Sequence, residues 1–267
     1  MSNISNLTNL IAIRGIALAE IGRIEEGINV LKYGIEVCEN FGAFLRLGVI
    51  YNSVGYCYGE IYQSDKAWPY NKRSETIARK LMKENPMGIR QFAEIAAQAN
   101  VNLMENLFDQ GKPEEAWKIM EALEEESKST DFNMFRHQWE SRMKYLACRI
   151  LIKQGQYDHA ETLVQDYLKK VQKQHLKKRE GGFLRLWGDI HAIRKDYDKA
   201  IDCINEAIKI LEYVGNPHQL WLAYSSLAYV YEKTERIGEA NENWNMAVKF
   251  IEKNANNLTE IQPMKKQ

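Results

Sequence analysis

Proline is scarce in this chain of 267 residues, with only five, and the sixteen glycines do not gather into linkers. The remainder is rich in Ala, Leu, Ile, Glu, Lys and Gln, which favours helix throughout. No segment alternates apolar and polar residues for long enough to read as a strand, so an all-α fold is expected. Net charge is lacking as well: Lys plus Arg and Asp plus Glu number 36 each. No global field draws the chain to nucleic acid or to an anionic membrane surface. Apolar runs of the roughly 20 residues that cross a bilayer are absent. The polar start MSNISNLTN has none of the parts of a signal peptide, and a cytoplasmic protein is expected, with neither nucleic acid nor membrane as partner.

Chemistry-bearing motifs are missing too. There is no GxxxxGK[ST] loop, no strand leading into GxGxxG, no HExxH and no GxSxG. Cys38, Cys57, Cys148 and Cys203 lie far apart, without a CxxC pair or a histidine at ligand spacing, and read as small core residues. The five histidines, His137, His159, His175, His191 and His218, never fall three or four apart, which a helical metal site favours. Glu124, Glu125 and Glu126 are consecutive, so they point in different directions and form a solvated face. Gly181-Gly182 reads as a helix junction. The run KKVQKQHLKKRE (169–180) is the one local charge asymmetry; RNA and phosphoinositide are ligands for such runs, but without interleaved aromatics it reads as the exposed end of a long helix. No catalytic residue, cofactor or metal is assigned.

What is present is a repeated spacing. RKDYDKAIDCINEAIKIL (194–211) is followed forty residues later by TERIGEANENWNMAVKFI (234–251), and GQYDHAETLV (155–164), GKPEEAWKIM (111–120), QSDKAWPYNK (63–72) and GRIEEGINVL (22–31) precede them. Each unit has a first position, a second twelve residues on and a third seven further: Gly15, Gly27, Gly34; Gly55, Ala67, Ser74; Met104, Ala116, Leu123; Cys148, Ala160, Tyr167; Gly188, Ala200, Ala207; Ala228, Ala240, Ala247. Short side chains at these places let two antiparallel helices approach closely. Large residues three after the first position (Tyr58, Leu107, Leu151, Tyr231) then meet those four after the second (Leu31, Met120, Val164, Trp244), as core contacts. Gly22, Gly111 and Gly155 sit where a first helix ends. Pro113 opens a second helix, and Asn85-Pro86 and Asn216-Pro217 separate units. Pro69 lies a turn inside a second helix, which is expected to start late or bend. The spacing predicts twelve helices in pairs: 6–21 and 24–39, 43–62 and 65–82, 87–110 and 113–127, 131–154 and 157–174, 178–194 and 197–213, 217–233 and 237–254.

These units resemble the tetratricopeptide repeat (TPR) family, most clearly in YNSVGYCYGEIYQSDKAWPY (51–70) and LWLAYSSLAYVYEKTERIGEA (220–240). The resemblance covers about 7–252 and implies a single domain over 1–267: a right-handed α-solenoid of about six helix pairs, with a polar tail at 256–267 as cap or disordered segment. The units recur every 40, 49, 44, 40 and 40 residues. Periods near 40 are similar to the long-helix modules of bacterial multidomain signalling proteins of the ATPase and nucleotide cyclase type. The resemblance implies a scaffold or sensor module without catalysis, binding a protein or peptide on its concave face; the alternative is a ligand-switched regulatory module of such a signalling protein. In the family, inward-pointing residues lie three before and one after the first position: Ala12 and Ile16, Asn52 and Tyr56, Val101 and Glu105, Tyr145 and Arg149, Arg185 and Asp189, Ser225 and Tyr229. Asn52, Tyr56, Glu105, Tyr145, Arg149, Arg185, Asp189 and Tyr229, with Arg142 one turn before Arg149, are the candidate partner-binding set. The competing reading pairs Arg149 with Glu105 and Arg185 with Asp189 across neighbouring helices. Exposed apolar faces at the solenoid ends offer a route to a homo-oligomer.

Overall fold

A computed structural model of the protein describes residues 2–129 and 136–255. Among them are twelve α-helices and no strand: α1 (Ser2–Glu20), α2 (Ile24–Asn40), α3 (Phe44–Gly59), α4 (Ser64–Glu84), α5 (Ile89–Asp109), α6 (Pro113–Glu126), α7 (Arg136–Lys153), α8 (Tyr157–Lys173), α9 (Lys177–Ile193), α10 (Tyr197–Val214), α11 (Pro217–Lys233) and α12 (Ile237–Ala255). A short 3₁₀ turn, Pro86–Gly88, precedes α5. The expected helix start at 131 and the tail 256–267 lie outside the described residues. Consecutive helices form six antiparallel pairs, and each pair packs on the next: an all-α solenoid.

Helix pairing rests on the short side chains. A methyl group on Gly27 would stand 2.6 Å from the carbonyl oxygen of Gly15, so the backbones of α1 and α2 nearly touch there. Ala67, Ala116, Ala160, Ala200 and Ala240 are all buried at the equivalent place in the other pairs. The turn within each pair is also repeated. Gly22, Tyr62, Gly111, Gly155, Lys195 and Glu235 have left-handed backbones, with φ from +57° to +88°. The next N–H bonds back to a carbonyl five residues earlier, as Arg23 does to Leu18 (2.8 Å) and Gln156 to Leu151 (2.9 Å), the bond that closes a helix C-terminus. Three of the six positions carry a side chain where glycine is favoured, at a cost of about 1 kcal/mol each.

Three local expectations are corrected. Gly181 and Gly182 lie inside α9 rather than at a junction; a methyl on Gly181 would stand 2.6 Å from Leu211 of α10, and one on Gly182 3.0 Å from the Tyr145 ring of α7, so both glycines serve close packing. Helix α4 does not start late at Pro69, because it begins at Ser64 and Pro69 occupies its second turn. The run 169–180 is not one helix end: it spans the end of α8, a turn whose His175 has φ +57°, and the start of α9. Cys38, Cys57 and Cys148 are buried and Cys203 is half-buried.

Candidate functional site: the solenoid axis

The six first helices, α1, α3, α5, α7, α9 and α11, meet around the axis. Their ends also touch across successive turns. Lys178 at the start of α9 donates to both oxygens of Glu20 at the end of α1 (2.9 and 2.8 Å) and to the Tyr56 hydroxyl (2.9 Å). Asn216, which caps α11 by accepting from the Gln219 N–H, also donates to Glu20 (2.9 Å). His218 Nδ1–H donates to the Glu60 carbonyl (2.8 Å), and its ring stacks on Tyr62 with centroids 5.3 Å apart. The first pair thus meets the fifth and sixth, and the second meets the sixth. The coil returns on itself after about four pairs, and the wide inner surface expected of an open superhelix is narrowed to a polar axis.

Among the described residues two spaces lie along that axis. The inner one, about 40 Å³, is lined by Tyr56, Glu60, Asp109, Arg142, Arg149 and Arg179, among others. Sharing Tyr56, Arg142 and Arg179 with it is a chamber of about 460 Å³ bounded by Ile16 and Glu20 of α1, Tyr56 of α3, Ser141 and Arg142 of α7, and Lys177–Arg179 of α9. Burial alone would raise the Glu60 carboxyl, but Lys178 (3.7 Å) and His218 (3.8 Å) more than offset it and hold it at about 2. Among the described residues its Oε2 accepts no hydrogen bond. Burial pushes Asp109 up to about 6, since Arg149, 3.7 Å away, offsets the loss of water only in part. Burial works against the Arg142 charge, yet Glu105 (2.6 Å) and the Tyr56 ring, 5.1 Å beneath, keep it protonated. Arg179 makes no hydrogen bond or ion pair among the described residues, though its charge acts on Glu60 and Tyr56. It is the chamber's uncommitted cation.

The sequence-derived set falls into distinct places. Tyr56 and Arg142 line both spaces, while Glu105, Tyr145 and Arg149 line the inner one. Arg185 is buried, donates to the Tyr145 hydroxyl (2.7 Å) and pairs with Asp189 (2.5 Å) on its own helix rather than across helices. Arg149 pairs with Asp109, because Glu105 is taken by Arg142. Tyr229 is apart from these, 45% exposed, with Lys233 over its ring. Asn52 belongs to a buried amide lattice: Asn102 donates to Asn52 (2.8 Å) and Asn71 (3.1 Å), Asn71 donates to Asn106 (2.9 Å), and Arg142 donates to Asn102 (2.6 Å). Sequence reasoning missed Asn71, Asn102 and Asn106. A signal existed, since Asn71 stands where other pairs carry Leu31, Met120, Val164, Ile204 or Trp244. Lys178, Arg179 and His218 were missed because each comes from the start of a helix and acts on groups more than a hundred residues away, Lys178 and His218 by direct contact and Arg179 through its charge.

No protein-family model and no curated protein matches the chain. Among solved structures it is similar to BtubC (BKLC) from P. vanneervenii, with 14% identity, a TM-score of 0.56, and coverage of 96% of this chain and 95% of that one. It is similar to a Rap protein complexed with Competence and Sporulation Factor, at 14% identity and a TM-score of 0.67, over 94% and 76% of the two chains. The apo form of RapI aligns at 12% identity and 0.59, over 93% and 99%. Identities this low speak for fold alone, and together with the six helix pairs they give the chain a TPR-like helical-repeat fold.

Proposed function

We propose that the protein is a binding module without catalysis of its own, taking a peptide or a segment of a partner protein at the axial chamber. The observation that carries this reading is the chamber itself: an open space of about 460 Å³ walled by helices from four different pairs, with aromatic, hydroxyl and cationic groups. Tyr56 and Arg142 are the sequence-derived residues that would touch a ligand there; Glu105, Tyr145 and Arg149 form its floor, and Asn52, Arg185 and Asp189 hold the walls. One neighbour of the same fold is a Rap protein in complex with Competence and Sporulation Factor, which supports a factor-binding role for the architecture. Affinity capture from the source organism's lysate tests the reading. The wild-type chain is expected to retain a partner that Arg179→Glu loses, and identical captures by the two proteins would move the site away from the chamber. Turnover of a nucleotide or ester that survives repurification would overturn the module itself.

A second reading, the ligand-switched regulator of a bacterial signalling assembly, draws on the polar character of the inter-turn contacts. Glu20, Lys178, Asn216 and His218 are joined by hydrogen bonds and an ion pair, so a ligand in the chamber that competes for Glu20 or Lys178 acts directly on the contacts that set the pitch. The captured partner, added back, should shift the small-angle scattering profile; an unchanged profile removes this reading and leaves the first.

A further inference from the structure

In a repeat stack, the second helix of one pair is covered by the first helix of the next. Among the described residues no helix takes that place beside α1 or α12, and their outer faces can be matched by position to faces that are covered inside the chain. On α12, Val248 is 49% exposed and Ile251 44% exposed; forty residues earlier, Ile208 and Leu211 of α10 are 8% and 0% exposed, with α11 following. On α1, Leu7 and Leu10 are 44% and 64% exposed; forty residues later, Leu47 and Ile50 of α3 are buried, with α2 preceding. The same positions of α11, Leu220 and Ala223, are buried as well. One chain therefore carries both halves of the joint that it uses internally, one at each end.

We infer that α12 of one copy docks on α1 of a second copy, head to tail, in the manner of α10 on α11. The joint is weaker than the internal ones for a specific reason. Glu39 and Glu212 accept hydrogen bonds from Tyr51 (3.2 Å) and Tyr224 (2.6 Å) on the following helix. Glu252 is the equivalent carboxylate on α12, but α1 presents Ile11 where the tyrosine stands, and Ile11 is buried in its own core. The joint between copies rests on apolar area alone, and association depends on concentration. A face that meets a different face does not close by two-fold symmetry, and because a joint like that of α10 on α11 carries the advance of the coil on from copy to copy, the product is an open chain of copies. The inference does not depend on what occupies the axial chamber.

Analytical ultracentrifugation of the full chain tests it with two blocked variants, Val248→Lys with Ile251→Lys, and Leu10→Lys with Ile13→Glu. All four side chains are exposed, and circular dichroism verifies that each variant folds. The wild type is expected to show rising mass with concentration, and each variant alone is expected to stay monomeric. An equimolar mixture retains one intact joint and is expected to reach twice the monomer mass and stop there. A wild type that stays monomeric at every concentration overturns the inference. So does an α1 variant that still dimerises, which would mean that α12 pairs with itself.

Discussion

At the scale of single residues, the space between helices decides what each position tolerates. Gly27→Ala places a methyl against the Gly15 carbonyl, which is backbone and cannot turn aside. A loss of about 1–3 kcal/mol is expected in urea unfolding. Gly238→Ala, with open space around the added carbon, serves as the control and should cost nothing by packing. A second residue sets a pH dependence. Glu94 is buried beside Trp139 and accepts from Gln98 (2.6 Å), and burial pushes it up to about 7. A carboxyl raised on folding favours the folded state while protonated, so its contribution declines as pH climbs from the ordinary carboxylate range through about 7. Glu94→Gln removes that decline. The variant should exceed the wild type by roughly 1–3 kcal/mol at pH 8 and lose the advantage below pH 5, as read from paired urea titrations.

At the scale of the element, the helices were legible because their signals are local. Small residues at fixed intervals, glycines at helix ends and Asn-Pro pairs between units place eleven of the twelve starts within four residues of those observed; the remaining start, at 131, falls outside the described residues. The exceptions have local causes too. Pro69 stays inside α4 although it has no N–H to bond the carbonyl of Asp65. The helix is held there by Ala67 and Asn71, both buried, with Asn71 against Gly55 of α3 and bonded to Asn106 of α5. Pro69 is itself exposed, so Pro69→Ala restores the missing bond without disturbing the core. The variant is expected to gain up to about 3 kcal/mol, checked by thermal melting. Gly181 and Gly182 were misread because glycine punctuates helices far more often than it serves contacts within them, and only the nearness of α7 and α10 distinguishes the two cases.

At the scale of the whole molecule, the contacts between successive turns govern shape. Lys178 is the main cation offsetting the burial of Glu60, and it also bonds Glu20 and Tyr56. Lys178→Ala leaves the Glu60 carboxylate buried without that compensation, a situation that costs on the order of 3–5 kcal/mol if the chain stays closed. The coil can relieve this by opening, since Glu60 then reaches water while every helix pair stays intact. Unchanged helicity by circular dichroism, a larger radius of gyration by small-angle scattering, and faster amide exchange near 16–20 and 56–62 are therefore expected. Unaltered scattering would mean that apolar packing, and not this polar contact, holds the turns together.

Sequence alone determined the all-α class, the six helix pairs, the turns and most of the buried faces, because each depends on residues within about twenty positions of one another. It also placed Tyr56, Arg142 and Tyr145 on inward faces, since a helical face follows from spacing. The narrowing of the axis was decided by tertiary structure. Glu20 and Lys178 stand 158 residues apart and Glu20 and Asn216 196 apart, and nothing in either local pattern announces the pairing. How far the coil advances per pair is the sum of small rotations at five joints, each set by side-chain volumes on both helices. That sum determines whether Arg149 and Arg185 face open water or, as here, meet Asp109 and Tyr145 inside the molecule.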